Sequence, residues 1–339
     1  MKKLLVTTIC LLGAHLLSAG EIWISPQGND LNDGTRPSPK ATLTSALRQA
    51  REWRRTDDER VRGGITICME GGTYALYEPV FIRPEDSGTE DSPTVIRPVA
   101  DEKVELSGGI RIGGWKKQGK LWVADVPMFN GRPLDFRQLW VNGKKAVRAR
   151  DVEDFEKMNR ICSVDEKNEI LYVPAVAIRR LIDGKGALKA KYAEMVLHQM
   201  WCVANLRIRS VELAGDSAAI RFHQPESRIQ FEHPWPRPML TTEGHNSAFY
   251  LTNARELQDV PGEWYHDIDA RKVYYYPREG EKMQEAEVIV PAVETLVRVE
   301  GTLDRPVRHI RFEKITFSYT TWMRPSEKGH VPLQAGMYL

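Results

Sequence analysis

Four cysteines in 339 residues are too few and too scattered for a disulfide framework or a metal knuckle. Cys10 lies in an N-terminal apolar stretch. Cys68, Cys162 and Cys202 remain, enough for one bridge and a leftover thiol, and burial as small apolar side chains suits them better. No His–carboxylate spacing such as H-E-x-x-H occurs, so no zinc site is expected. A G-x-S-x-G elbow, a phosphate loop and a dinucleotide fingerprint are also missing, and no cofactor is implied. Charge of one sign is lacking too. Lys and Arg total 48 against 46 Asp and Glu, for a net +2, which leaves no concentrated basic surface for nucleic acid. The basic run Arg51 to Arg55 is followed by Asp57, Asp58 and Glu59 and reads as a solvated helix face. Beyond residue 20 no apolar run approaches the ~20 residues of a membrane-spanning helix.

What is present begins with a leader. Lys2 and Lys3, an apolar stretch from Leu4 to Leu17, and the small residues Ser18, Ala19 and Gly20 form a secretory signal peptide over 1–20, with Glu21 as the mature start. Cys10 follows Ile9 and not a small residue, which argues against lipid anchoring. The expectation is an exported protein, periplasmic or extracellular.

Ile22-Trp23-Ile24 reads as a strand entering the turn segment Ser25 to Thr35. This segment looks like a calcium loop at first sight, but Leu31 falls where an oxygen ligand belongs. Turn chemistry is the better reading. Leu43, Ala46, Leu47, Ala50 and Trp53 then mark one face of an amphipathic helix, capped by Thr42 or Thr44. One such helix ahead of strands fits a cap on a β-solenoid. Short strands follow at Ile65–Met69, Val80–Ile82, Thr94–Ile96 and Val104–Leu106, parted by Gly, Pro and Asp turns. The spacing from Val80 to Val104, about 24 residues, suits one solenoid coil.

From Trp115 the strands lengthen and alternate. Asn142-Gly143 signals a tight hairpin, and Trp264-Tyr265 with Tyr274-Tyr275-Tyr276 reads as an aromatic one. From Val288 the short rhythm resumes through Ile310–Phe312 and Ile315–Phe317. The fold expected is all-β, a right-handed parallel β-helix with an N-terminal capping helix and an inserted antiparallel β-sandwich. Its divisions are cap and first coils 21–113, insertion 114–287, and resumed coils 288–339. Gly336 to Leu339 reads as the start of another strand, so the coils are expected to be truncated there, as the N-terminal part of a longer protein.

The opening Ser25-Pro26-Gln27-Gly28-Asn29-Asp30 with Gly34-Thr35 resembles that of many secreted bacterial β-helix proteins. Leu139-Trp140-Val141-Asn142-Gly143-Lys144 with Arg148-Ala149-Arg150, and Pro261 to Tyr265 with Tyr274 to Pro277, resemble a narrower group, the β-helix glycoside hydrolases of the family 141 type. The resemblance implies hydrolysis of plant cell-wall polysaccharide, as an α-L-fucosidase or a xylanase. It also implies two catalytic carboxylates on coils beyond residue 339. A polysaccharide lyase and a non-catalytic, glycan-binding or adhesive β-helix are the alternatives.

A glycosidase needs an acid and a nucleophile or base held ~5–9.5 Å apart. Neighbouring pairs are Asp165 with Glu166, Glu263 with Asp267, and Glu85 with Asp86. The first and third lie in charged turns and read as solvated, the second as structural. Trp322, His330 and Gln334 occupy a long loop leaving a coil and are the expected groove-lining residues for a polysaccharide or oligosaccharide.

Overall fold

The computed structural model describes residues 19–232, 237–241, 245–332 and 336. Most of the expected leader, residues 1–18, and the groove candidate Gln334 lie outside the described residues. The chain divides into two compact units, Met1–Ser107 with Thr295–Ser318, and Gly108–Glu294 with Tyr319–Leu339.

The first unit is built from parallel strands. Gly20–Ile24, Ile65–Met69, Thr94–Pro98 and Ile310–Phe312 form one sheet. Gly72–Ala75, Val104–Ser107 and Ile315–Ser318 form a second, and Val80–Ile82 with Val297–Val299 a third. Register places like on like. Ile22 opposes Ile67, Ile67 opposes Ile96, and Ile96 opposes Phe312. The first three are fully buried, and each such side chain contributes up to about 1.5–3 kcal/mol by leaving water. The repeat therefore runs from Ile65 to Thr94 and from Tyr74 to Leu106. The spacing from Val80 to Val104 does not mark it, because Val80 pairs with Val297 in another sheet. Short apolar strands look alike in sequence, and only pairing says which are equivalent.

The helix Leu43–Arg55 closes this core with Leu43, Ala46, Leu47, Ala50 and Trp53. The Thr42 hydroxyl caps it, accepting from the Ser45 N–H at 3.1 Å. Asp30 does the work of a turn. Its carboxylate accepts from the backbone N–H of Ala41 and Thr42 and from the Thr42 hydroxyl. The basic run on the helix is not simply solvated. Arg51 forms a bidentate pair with the buried Asp86, with Nη2 at 2.9 Å from Oδ2. Arg54 reaches the Thr94 hydroxyl at 2.9 Å and the Ser92 carbonyl at 3.0 Å. Asp86 also accepts from the Arg83 N–H, so it is a structural anchor and not the solvated carboxylate its charged surroundings suggest.

The second unit is mostly antiparallel. Its largest sheet has seven strands, including the long Cys202–Ala214, which bulges between Ile208 and Ser210. Two further sheets share one core around Phe136, Trp264, Tyr275 and Val288. Asn142 and Gly143 both have positive φ, 49° and 73°, the conformation of a type I′ hairpin turn. The aromatic hairpin alternates as a strand must. Trp264 opposes Tyr275 and both are fully buried, while Tyr265 opposes Tyr274 on the half-buried face. Val288–Pro291, read from its sequence as a resumed coil, instead pairs antiparallel with Gly109–Arg111 and Trp140–Val141. Its apolar alternation fits either setting. The three cysteines beyond the leader are free thiols. Cys68 is buried, but Cys162 is exposed, against the expectation of burial.

Replacing Asp86 by Asn leaves the Arg51 guanidinium without its counter-charge. The expected cost is ~3 kcal/mol in chemical denaturation. A loss under 1 kcal/mol would show that the pair does not hold the helix.

Candidate functional site

The carboxylates near one another in sequence serve turns and pairs. Asp165 accepts from the Asn168 N–H and side-chain amide, and Glu166 pairs with Arg237 at 3.1 Å. Glu85 pairs with Arg305 on the surface. Glu263 is buried and accepts from the backbone N–H groups of Asp259, Val260 and Arg150. Asp267 accepts from the Ala270 N–H within its hairpin turn. Asp151 is the carboxyl whose burial pushes its pKa up to about 6, the range a general acid uses. One of its oxygens accepts from the Leu251 N–H, and it lines neither of the two clefts described below.

The strongest electrostatic feature lies in the second unit. Glu194 sits on Glu194–Gln199, a strand otherwise buried along most of its length. Its carboxylate receives Arg137 at 2.9 and 2.8 Å and Arg148 at 3.0 Å to both oxygens. Burial opposes ionisation of Glu194, but the guanidiniums of Arg148 and Arg137 outweigh it and hold the carboxyl below its ordinary value of 4.5. Arg137 also donates to the Ser326 hydroxyl at 2.8 Å. Nearby, Arg207 pairs with the buried Glu226 at 2.7 Å and donates to the Ser326 carbonyl.

Two clefts flank this triad. One, of about 340 Å³, is lined by both signs, with Asp135 and Glu194 beside Lys191, Arg207 and His223. The other, of about 400 Å³, carries Arg137, Lys145, Arg148 and Arg150, with Gln138, Asn205 and Tyr250, and has no carboxylate in its lining. Arg148 belongs to both. The Arg150 guanidinium stacks 5.8 Å from the Tyr250 ring centroid.

The loop from Tyr319 to His330 joins this unit. The Thr321 hydroxyl bonds the Gln138 side chain at 2.9 Å, and His330 exchanges backbone hydrogen bonds with Asn205. Trp322 is 40% exposed, and His330 meets its ring edge-on at 5.0 Å. Burial, with Arg324 nearby, lowers the His330 pKa from 6.5, so the ring is neutral at pH 7. The structure thus puts Trp322 and His330 on one loop whose neighbours line the basic cleft. The sequence pointed to that loop. It did not point to Arg137, Lys145 or Glu194. A lone glutamate in a strand of buried residues was the available signal.

Residues 119–278 match the GH141 insertion domain. A solved structure described as a glycoside hydrolase is similar with a TM-score of 0.93 and 94% identity, covering 95% of this chain and 54% of that one. The chain is thus similar to a glycoside hydrolase, and its residues 119–278 to the GH141 insertion domain. It spans about half the length of that solved hydrolase. The uncharacterized protein YwoF of Bacillus subtilis (strain 168) is 31% identical over 91 residues, 27% of this chain and 16% of that protein. A complex of XylC with xylose is similar only at a TM-score of 0.41 and 14% identity, over 88% of this chain and 35% of that one, too distant to bear on it.

Within residues 119–278, which match the GH141 insertion domain, the triad is held by these ion pairs. Glu194→Gln leaves two largely buried guanidiniums facing a neutral amide, at an expected cost of ~3–5 kcal/mol at pH 7. The sign with pH follows from the lowered pKa. The contribution is whole above the ordinary value of 4.5 and is lost as pH falls through the folded-state value. Denaturation of both proteins from pH 7 to pH 3 is expected to show the gap closing only at the acid end. A gap that is constant or that widens on acidification would contradict this account.

Proposed function

We propose that this chain is part of an exported glycoside hydrolase that acts on complex plant cell-wall polysaccharide, of α-L-fucosidase or xylanase type. The observation that carries the reading is the 94% identity with a solved glycoside hydrolase over 95% of the chain. The insertion-domain match supports it. So does the parallel register that continues from Thr94–Pro98 to Ile310–Phe312 across the insertion, which suits a right-handed parallel β-helix. Hydrolysis needs one carboxyl to protonate the leaving oxygen and one to attack or to activate water. The carboxylates described above are bound into turns and ion pairs. We therefore place the catalytic pair in the portion of such a hydrolase that this chain does not cover. The leader over 1–20 is the basis for export to the periplasm or beyond.

Incubating the full-length hydrolase with pectic and xylan oligosaccharides tests the reading. New reducing ends with no unsaturated uronate are expected. An unsaturated product would instead mean a lyase, and binding without turnover a lectin-like protein. Either outcome would end the hydrolase assignment.

A further inference from the structure

We propose that the basic cleft of the second unit binds an acidic saccharide, with uronate carboxylates on Lys145, Arg148 and Arg150 and a sugar face on Trp322. The proposal rests on the glycan-directed reading above but concerns binding, not hydrolysis.

The first argument is charge. Four cations line the cleft and no carboxylate does. Glu194 pairs with both Arg137 and Arg148, and Asp135 also acts on them, so the free positive charge of the cleft is carried by Lys145 and Arg150. Arg148 lines the cleft with a side chain that is largely buried. Arg150, itself mostly buried, pairs with the exposed Glu153 at 2.7 Å, a partner that solvent screens and that an incoming carboxylate can replace. Lys145 is exposed, with its ammonium 5.9 Å from the Trp140 ring centroid. A guanidinium fork matches the planar carboxylate of a uronate in bidentate geometry.

The second argument is that the remaining lining suits hydroxyls. Gln138, Asn205 and Tyr250 offer neutral donors and acceptors, and about 400 Å³ falls in the range of small-ligand sites. The third is the aromatic edge. Trp322 follows directly on Thr321, which is bonded to the lining residue Gln138. Its loop is pinned at its far end to the lining residue Asn205, and His330 braces the ring. A pyranose C–H face packs on such a half-exposed indole. The neighbouring cleft offers none of this balance, because Asp135 and Glu194 in its lining would repel a uronate.

The test is calorimetric titration of the full chain at low salt with trigalacturonate, xylotriose and sodium sulfate. Trigalacturonate is expected to bind at least 10-fold more tightly than xylotriose, and more weakly as salt rises. Lys145→Gln and Arg150→Gln are each expected to weaken it 5-fold or more. Trp322→Ala is expected to weaken trigalacturonate but not sulfate. Lys272→Gln, outside the cleft lining, is expected to change nothing. Thermal unfolding of each variant checks that it folds, and the exposed Lys145 keeps the test valid if Arg150→Gln does not. Equal binding of xylotriose, no binding of trigalacturonate, indifference to Lys145→Gln, or displacement by equimolar sulfate would each overturn the proposal. Uronate binding by a full-length protein that cleaves nothing would sink the hydrolase reading alone. Cleavage without uronate binding would sink only this one.

Discussion

Parallel backbone pairing across a long insertion is the constraint from which the rest of the first unit follows. Ile310–Phe312 adds to Thr94–Ile96, and Ile315–Ser318 to Val104–Ser107. Parallel strands cannot be joined by a tight turn, so each rung needs intervening chain. One such connection, between Ser107 and Val297, holds nearly all of the second unit. The register is fixed by side chains as much as by hydrogen bonds, because a slip of one residue would turn Ile67 and Ile96 out of the core.

The second unit obeys a different economy. Its sheets are antiparallel and its cores are apolar, but it buries charge as well. Glu194 and Glu226 each lie nearly out of water, the first met by two arginines and the second by one, all from elsewhere in the sequence. Taking such groups from water costs several kcal/mol apiece, which mutual attraction recovers only with good geometry. The bidentate contacts meet that demand. They also hold Arg137 and Arg148 at the edge of the cleft whose lining carries no acid, the cleft proposed above for an acidic saccharide.

Much of the architecture was legible in the sequence, wherever a local rule is strict. The helix at Leu43–Arg55 followed from its apolar stripe, and the Asn142-Gly143 turn from the need for two positive φ angles. The alternation of Trp264 and Tyr275 against Tyr265 and Tyr274 followed from strand geometry. What escaped depends on distant partners. Asp86 looks like an ordinary surface acid until Arg51 arrives beside it, and nothing near Glu194 in the sequence names its partners Arg137 and Arg148. Val288–Pro291 looks like a coil strand because its apolar pattern satisfies both settings. The loop bearing Trp322 was visible as a candidate, but the basic cleft beside it was not, since its cations come from separate strands and turns.

Cysteine cross-linking measures the central register most directly. Glu105 and Thr316 are direct neighbours on adjacent parallel strands, within the Cα separation that a disulfide spans. The variant Glu105→Cys/Thr316→Cys is expected to form a disulfide readily under mild oxidation. The shifted variant Glu105→Cys/Phe317→Cys should not, because successive residues face opposite sides. Equal cross-linking of the shifted pair, or none in the aligned one, would contradict the account.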